Sequence, residues 1–414
     1  LRKRLKSFTP DIVRKRIVSW FRTRVDVQPA IALIRRQPVP IHRHSWIYSL
    51  GDAALFLFGL QLFSGCLLML YYQPTEATAQ QSITRIMNEV PFGWLIRSIH
   101  VWGASFYVGM VCLHFVTVLF SRAYRKPREL VWISGVVMLF LALGSGFSGY
   151  LLPWNELSFY ATAVGTQIPG TLPVIGDFIV HFLRGADQVT GQTITRFFAA
   201  HVMILPLAFG FVLSIHVFLS RVRGVSLPVG MCREEVKDRR PFFSEFLLLE
   251  VCLWLLLFGS IVTLSVFFPA EIGVKADSLK PAPQGIKPEW YFLFAFETLK
   301  YLPEMVGVAF FALVGLLLLV LPLLDRNAGR EEKNPTLTAV FLAFLLYALV
   351  FEILALIAPG VERPPEELAA QTYRVPESVV SLALLWSVIG LLIYYLRRLV
   401  VENTRIRKLY KDDS

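Results

Sequence analysis

Four of the seven histidines in this 414-residue chain stand at spacings that suit chemistry. His100 and His114 lie fourteen residues apart in the apolar run RSIHVWGASFYVGMVCLH, and His201 and His216 lie fifteen apart in a second such run. On α-helices the members of each pair are separated by roughly 21 and 22 Å along the axis and project broadly from one face. Two such helices running in the same direction offer an imidazole each at two matched depths. Neutral imidazole is a good iron ligand and a low-spin haem takes two axial ligands. The pattern therefore predicts two stacked haems, an outer one held by His100 and His201 and an inner one held by His114 and His216. The competing reading is four polar side chains satisfied by hydrogen bonds between helices, which suits a lone histidine better than four at matched depth.

A second period supports the first. Gly51 and Gly65, and again Gly135 and Gly149, are fourteen residues apart. A flat macrocycle needs close backbone approach, and glycine has no side chain in the way. Small residues are also common where membrane helices meet, so this signal gains its force from sharing the histidine period. Arg97, one turn outside His100, could hold a haem propionate with two hydrogen bonds or could simply snorkel to the interface. In KPEWYF, residues 287–292, Pro288 stops a regular helix before Glu289, while Trp290 and Tyr291 can wall an apolar pocket with polar ends. A carboxylate there can accept a proton from a quinol. On composition alone the same stretch reads as an aromatic interface belt with a stray glutamate.

The elements that must carry these residues are membrane helices. The chain is 55% hydrophobic and only 17% charged, and long runs lack Asp, Glu, Lys and Arg altogether, each long enough to cross a bilayer. Eight spans are expected at about 46–72, 94–121, 129–153, 196–221, 246–268, 304–324, 336–358 and 378–398. The expected class is an all-α polytopic membrane protein with a four-helix di-haem bundle. Most of the 41 Lys and Arg residues fall in residues 1–45, in the loops after the second, fourth and sixth spans, and in the tail. The charge rule for membrane topology puts these and both termini on the cytoplasmic (N) side, with the remaining loops on the opposite (P) side. The net charge of +11 is then topogenic charge meeting anionic lipid, with no nucleic acid implied. Residues 11–25 are expected as an interfacial amphipathic helix, with an unstructured basic tail as the alternative. The four cysteines, Cys66, Cys112, Cys232 and Cys252, show no CxxC spacing and read as small apolar residues. No cleavable signal is visible. His42, His44 and His181 have no matched partner, and Glu352, six residues inside the seventh span, has no assigned role.

The expected divisions are a basic N-terminal segment, 1–45; a four-span haem domain, 46–221; a cytoplasmic linker, 222–245; a C-terminal four-span domain, 246–400; and a tail, 401–414. Two P-side segments, 154–195 and 269–303, are too long for simple connectors and are expected to fold over a site.

Taken together, the two histidine pairs, the four glycines and PEWY at 288–291 resemble cytochrome b of the bc-type quinol:cytochrome oxidoreductases, over roughly residues 40–400. FGWLIRSIH, KPREL, GYLLPWNE, LPVIG, LRG and the fifteen-residue histidine spacing are similar to the chloroplast-type branch. That branch splits the protein into two chains, whereas here both halves are fused and an eighth span is present, as in the mitochondrial type. The resemblance implies a low-potential outer haem and a high-potential inner haem. It implies a quinol-oxidation site built from Pro288, Glu289, Trp290 and Tyr291, with Glu289 and Tyr291 as catalytic groups and residues 149–160 as another wall. It also implies a Rieske-type iron–sulfur partner, a c-type cytochrome subunit, a dimeric complex and a bacterial inner membrane or its equivalent. Asp52, Arg221 and Glu250 align with positions of the inner quinone site. Ser49 stands where the chloroplast type has a haem-attaching cysteine, so no covalent third haem is expected. The alternatives are a di-haem quinone-reactive anchor of another oxidoreductase, which needs no folded PEWY loop, and a proton-relaying transporter without haem.

Overall fold

The computed structural model describes residues 14–16, 19–20, 39–40, 45–227, 239–240, 246–280, 282–283, 285–325 and 334–358. The eighth expected span, the tail, His42, His44, Cys232, and most of 11–25 and of the linker lie outside the described residues; 14–16 and 19–20 are helical. In lipid every backbone N–H and C=O must be satisfied within the protein, and a helix does this along its own axis. The long apolar runs accordingly fold as α1 (Ser49–Met69), α3 (Gly93–Ser121), α4 (Glu129–Tyr150), α8 (Leu205–Arg223), α9 (Leu247–Phe267), α11 (Glu304–Leu324) and α12 (Pro335–Ile357). The shorter helices are α2 (Ala79–Asn88), α5 (Glu156–Gln167), α6 (Gly176–Arg184), α7 (Gly191–Ala199) and α10 (Trp290–Tyr301). A 3-10 turn, Ser45–Tyr48, leads into α1, and a π turn, Ala200–Ile204, joins α7 to α8 in one continuous rod. Among the described residues seven helices are long and apolar enough to cross a membrane. They match the first seven expected spans. Two small departures from an all-helical chain occur among these residues: a two-residue antiparallel pairing of Val39–Pro40 with Arg239–Arg240, and an isolated antiparallel bridge between Asn155 and Lys275.

α1 packs on α3, α4 on α8, and α3 touches α4, while α9 lies against α1 and α3. Three buried clusters stack along these helices. One, beyond the C-terminal end of α4, gathers Leu151, Trp154, Ile194 and Phe197. A middle one joins Leu57, Tyr107, Val108, Ala142, Phe209 and Ile261. One at the opposite end, around the α3–α4 loop, holds Leu119, Tyr124, Trp132, Val136, Leu321 and Phe341. Many large apolar side chains face outward, Phe211 and Leu255 among them, which is the inside-out surface a bilayer solvates.

Hydrogen bonds tie the two halves together at both ends. At the α3–α4 loop Arg122 donates to Tyr124 Oη (2.8 Å), to the Asn334 carbonyl (2.9 Å) and to Thr338 Oγ1 (2.6 Å). Tyr124 Oη and Arg125 Nε in turn donate to Asp325 Oδ2 at 3.0 and 2.9 Å. At the opposite end Trp102 Nε1 donates to the Phe268 carbonyl (2.8 Å), and Asn155 Nδ2 to that of Ile272 (3.1 Å). Asn155 also caps α5 in a reciprocal box with Ser158, so one side chain starts a helix and holds a loop from the other half. Gly273 (φ +77°) lies so close that a Cβ there would sit 2.7 Å from Asn155 Nδ2. Only glycine fits this left-handed position.

Candidate functional site

Each of the four histidines from the long apolar runs is seated against a glycine of the neighbouring helix. A Cβ built at Gly51 would lie 3.3 Å from His114 Cε1; at Gly65, 3.3 Å from His100 Cε1; at Gly135, 3.3 Å from His216 Cε1; at Gly149, 2.6 Å from His201 Cε1. The glycines thus make room for the imidazoles themselves, which differs from the expected role of admitting a macrocycle directly. The two fourteen-residue periods coincide because each helix of small residues must carry one gap per imidazole.

The ring nitrogens are held as well. Ser64 Oγ lies 2.9 Å from His100 Nδ1, Ser134 Oγ 3.0 Å from His216 Nδ1, and Ser148 Oγ 3.2 Å from His201 Nδ1. Each serine spends its single proton on a carbonyl of its own helix: Leu60 (2.7 Å), Leu130 (2.9 Å) and Ser145 (3.1 Å) respectively. The serine oxygen therefore accepts from the imidazole, and Nδ1 carries the hydrogen. For His201 the Ser145 carbonyl, 3.0 Å from Nδ1, requires the same tautomer, since a carbonyl only accepts. With Nδ1 protonated, Nε2 keeps its lone pair for a metal. His114 Nδ1 has no hydrogen-bond partner among the described residues.

The outer pair has the geometry of an axial couple. The His100 and His201 ring centroids are 6.2 Å apart with their planes at 84°. Two metal–imidazole bonds of about 2 Å each, plus half of each ring, span roughly this distance. No group of three or more His, Cys, Asp or Glu side chains occurs among the described residues, so two imidazoles per level fill only the two axial positions a porphyrin leaves open. Cradle, tautomer and spacing all fit haem.

The π turn explains the unequal histidine spacing. It contains His201 itself, and a π turn takes up one more residue than an α turn. Fifteen residues with one absorbed have the register of fourteen, so His201 and His216 match His100 and His114 in depth and face.

Arg97 is buried, and its two terminal nitrogens donate to the carbonyls of Ala270 (2.9 Å) and Glu271 (2.7 Å). Its guanidinium anchors the segment leading to the PEWY loop. Glu289 has the extended backbone of an N-cap (φ −56°, ψ 151°), and α10 begins at Trp290 as Pro288 requires. Trp290 and Tyr291 meet edge to face at 5.4 Å, and the buried Trp290 Nε1 has no hydrogen-bond partner among the described residues. Tyr291 reaches back to α4, where a Cβ at Gly146 would lie 2.6 Å from its hydroxyl. Burial, then the nearby Glu289 and Tyr150, raise its phenol well above the usual range. Phe292 packs edge to face on Phe147 (6.3 Å, 89°). The loop and the 149–160 segment are thereby brought together beside His201. Glu352 Oε2 accepts from the Phe294 N–H at 3.2 Å, and Lys287 Nζ donates to the Ala358 carbonyl at 2.7 Å, so α12 backs this loop.

At the other end Asp52 lies within electrostatic reach of Arg221, and the buried Glu250 within reach of Ser49 and Asp52. Three elements thus gather these four residues. His181 sits apart, exposed and paired with Asp187 at 3.1 Å. The serines were missed from the sequence, although a signal exists: Ser-Gly recurs at 64–65, 134–135 and 148–149 on the glycine period, and Leu-Gly stands at 50–51.

Comparison with known proteins gives three findings. Residues 35–224 match the family described as cytochrome b/b6/petB, and residues 275–395 match cytochrome b(C-terminal)/b6/petD. A cytochrome bc complex cytochrome b subunit of Chlorobaculum thiosulfatiphilum is 44% identical over 345 residues, 81% of this chain and 80% of the relative, whereas cytochrome b6 of Gloeobacter violaceus is 40% identical over 214 residues, 52% of this chain and 99% of its own length. A solved chain of a hyperthermophilic respiratory complex III superposes with a TM-score of 0.74 at 32% identity, over 89% of this chain and 96% of that one.

Proposed function

Since the chain belongs to the cytochrome b/b6 family and is a cytochrome b of a bc-type oxidoreductase complex, we propose that it oxidises quinol at the PEWY loop and passes electrons inward between α3 and the α7–α8 rod. His100 with His201, and His114 with His216, would each hold one of two haem b groups through their imidazole nitrogens. Bound there, haem supplies reversible one-electron transfer along the membrane normal. Gly51, Gly65, Gly135 and Gly149 hold the rings in place by leaving no side chain against them.

Quinol oxidation releases two protons and two electrons. Glu289 takes a proton from the quinol hydroxyl, and Trp290 and Tyr291 exclude water around it. One electron leaves to a Rieske-type iron–sulfur partner and then to a c-type cytochrome; the other goes inward. Asp52 and Glu250 supply protons to quinone reduced at the inner site, and Arg221 holds its oxygen or a propionate. Uptake on one side and release on the other make the reaction electrogenic. Ser49 cannot form a thioether, so both haems are non-covalent. The complex is a dimer in a bacterial inner membrane or its equivalent, with both termini of this chain on the N side.

The observation that supports this most is the His100–His201 couple, 6.2 Å between centroids with Nε2 free. The test is the haem content of the purified complex. Two acid-extractable haems per chain are expected, with the outer one alone lost in His100→Leu. A complex without a haem band refutes the reading.

A further inference from the structure

The four imidazoles are alike in their glycine seats and unlike at Nδ1. In the outer pair both rings donate: His100 to Ser64 (2.9 Å), His201 to Ser148 (3.2 Å) and the Ser145 carbonyl (3.0 Å). In the inner pair His216 donates to Ser134 (3.0 Å) and is also hydrogen-bonded to the Val131 backbone, while the buried Nδ1 of His114 finds nothing among the described residues. The cause is one side chain. The residue before the cradle glycine is serine at three of the four cradles and Leu50, itself buried, at the fourth.

A hydrogen bond accepted from Nδ1–H pushes electron density into the ring and makes Nε2 a more basic ligand. A more basic ligand favours the oxidised, more highly charged metal. Two donating rings at the outer level and one at the inner level therefore bias an electron to move inward.

We propose that Ser64, Ser148 and Ser134 are positioning residues that set the potential order of the two haems, and that Leu50 raises the inner potential by denying His114 an acceptor. This rests on the di-haem reading above and adds what that reading leaves open, namely which side chains make the inward step downhill. The serines act through the histidines and touch no substrate.

Potentiometry of each haem band in the purified complex tests it, with no turnover needed. Ser64→Ala removes the serine acceptor of His100, and the outer reduction equilibrium should shift about tenfold toward the reduced form, about 59 mV for a one-electron couple. Ser148→Ala should shift it less, because the Ser145 carbonyl still accepts from His201. Ser134→Ala should raise the inner couple. Leu50→Ser, which supplies the missing hydroxyl, should lower the inner couple by a similar factor and leave the outer one alone. Ser64→Thr keeps the hydroxyl and should match the wild type. If Ser64→Ala loses the outer haem while Ser64→Thr holds it, the positioning role stands; loss from both overturns it. Unchanged midpoints in both Ser64→Ala and Leu50→Ser also overturn it. Absence of haem from the wild-type complex is a different result, which removes the family reading instead.

Discussion

At residue scale the tightest of the four histidine cradles is at Gly149, where an added methyl would sit 2.6 Å from the His201 ring, against 3.3 Å at the other three. Contacts under 3 Å force the ring to move, whereas 3.3 Å asks a few tenths of an ångström. Gly149→Ala should therefore lose the outer haem or broaden its band, and Gly51→Ala should keep the inner haem with a shifted midpoint; optical redox titration separates the two. Glu289→Gln should retain both haems and lower quinol oxidation about 10²–10⁴-fold, the usual range for a lost general base. Normal turnover in that variant would remove Glu289 from the proton path. The histidines, glycines and PEWY were legible in sequence because their spacing is a local property of a helix or a turn. The serine acceptors were not picked out, because a serine beside a glycine is ordinary in membrane helices and its partner lies on another helix.

At element scale the seven described spans could be read from hydropathy, since a bilayer demands length and apolarity from each helix alone. The π turn could not: one absorbed residue leaves no mark in composition. It makes a sharp expectation. Removing Val202, inside the Ala200–Ile204 turn, should restore a plain α-helix and keep both haems. Removing Val108 from α3, which has no such slack, should rotate His114 by about 100° and lose the inner haem. Haem counts on the two deletion proteins decide it. A second case is the loop between α3 and α4. Burial alone would raise the Asp325 carboxyl, but hydrogen bonds from Arg125 and Asn334, the Arg125 charge and Tyr124 outweigh it and hold the group below its ordinary value. A depressed folded value means the stabilisation is full above the unfolded pKa of about 3.9 and is lost as pH falls through the lower folded one. Asp325→Asn leaves the Arg125 guanidinium facing a neutral amide, a loss of about 3–5 kcal/mol for a broken buried pair. Its thermal midpoint should fall well below wild type at pH 7, and the gap should narrow below about pH 4.

At the scale of the whole molecule the two halves meet through bonds that no single-segment reading foresees: Arg97 to Ala270 and Glu271, Asn155 to Ile272, Arg122 to Asn334 and Thr338. Such pairs join residues far apart in the chain, so local patterning is blind to them. They are numerous enough to assemble the halves without a covalent link. Two co-expressed pieces, 1–232 and 233–414, should co-purify and carry two haems; recovery of the first piece alone would contradict this. The π turn at His201 has a historical consequence too. A single codon gained or lost there would change the chain's length while the turn took up the difference, so a chain with a fourteen-residue interval and this one are a single mutational step apart, and the interval by itself says little about mechanism.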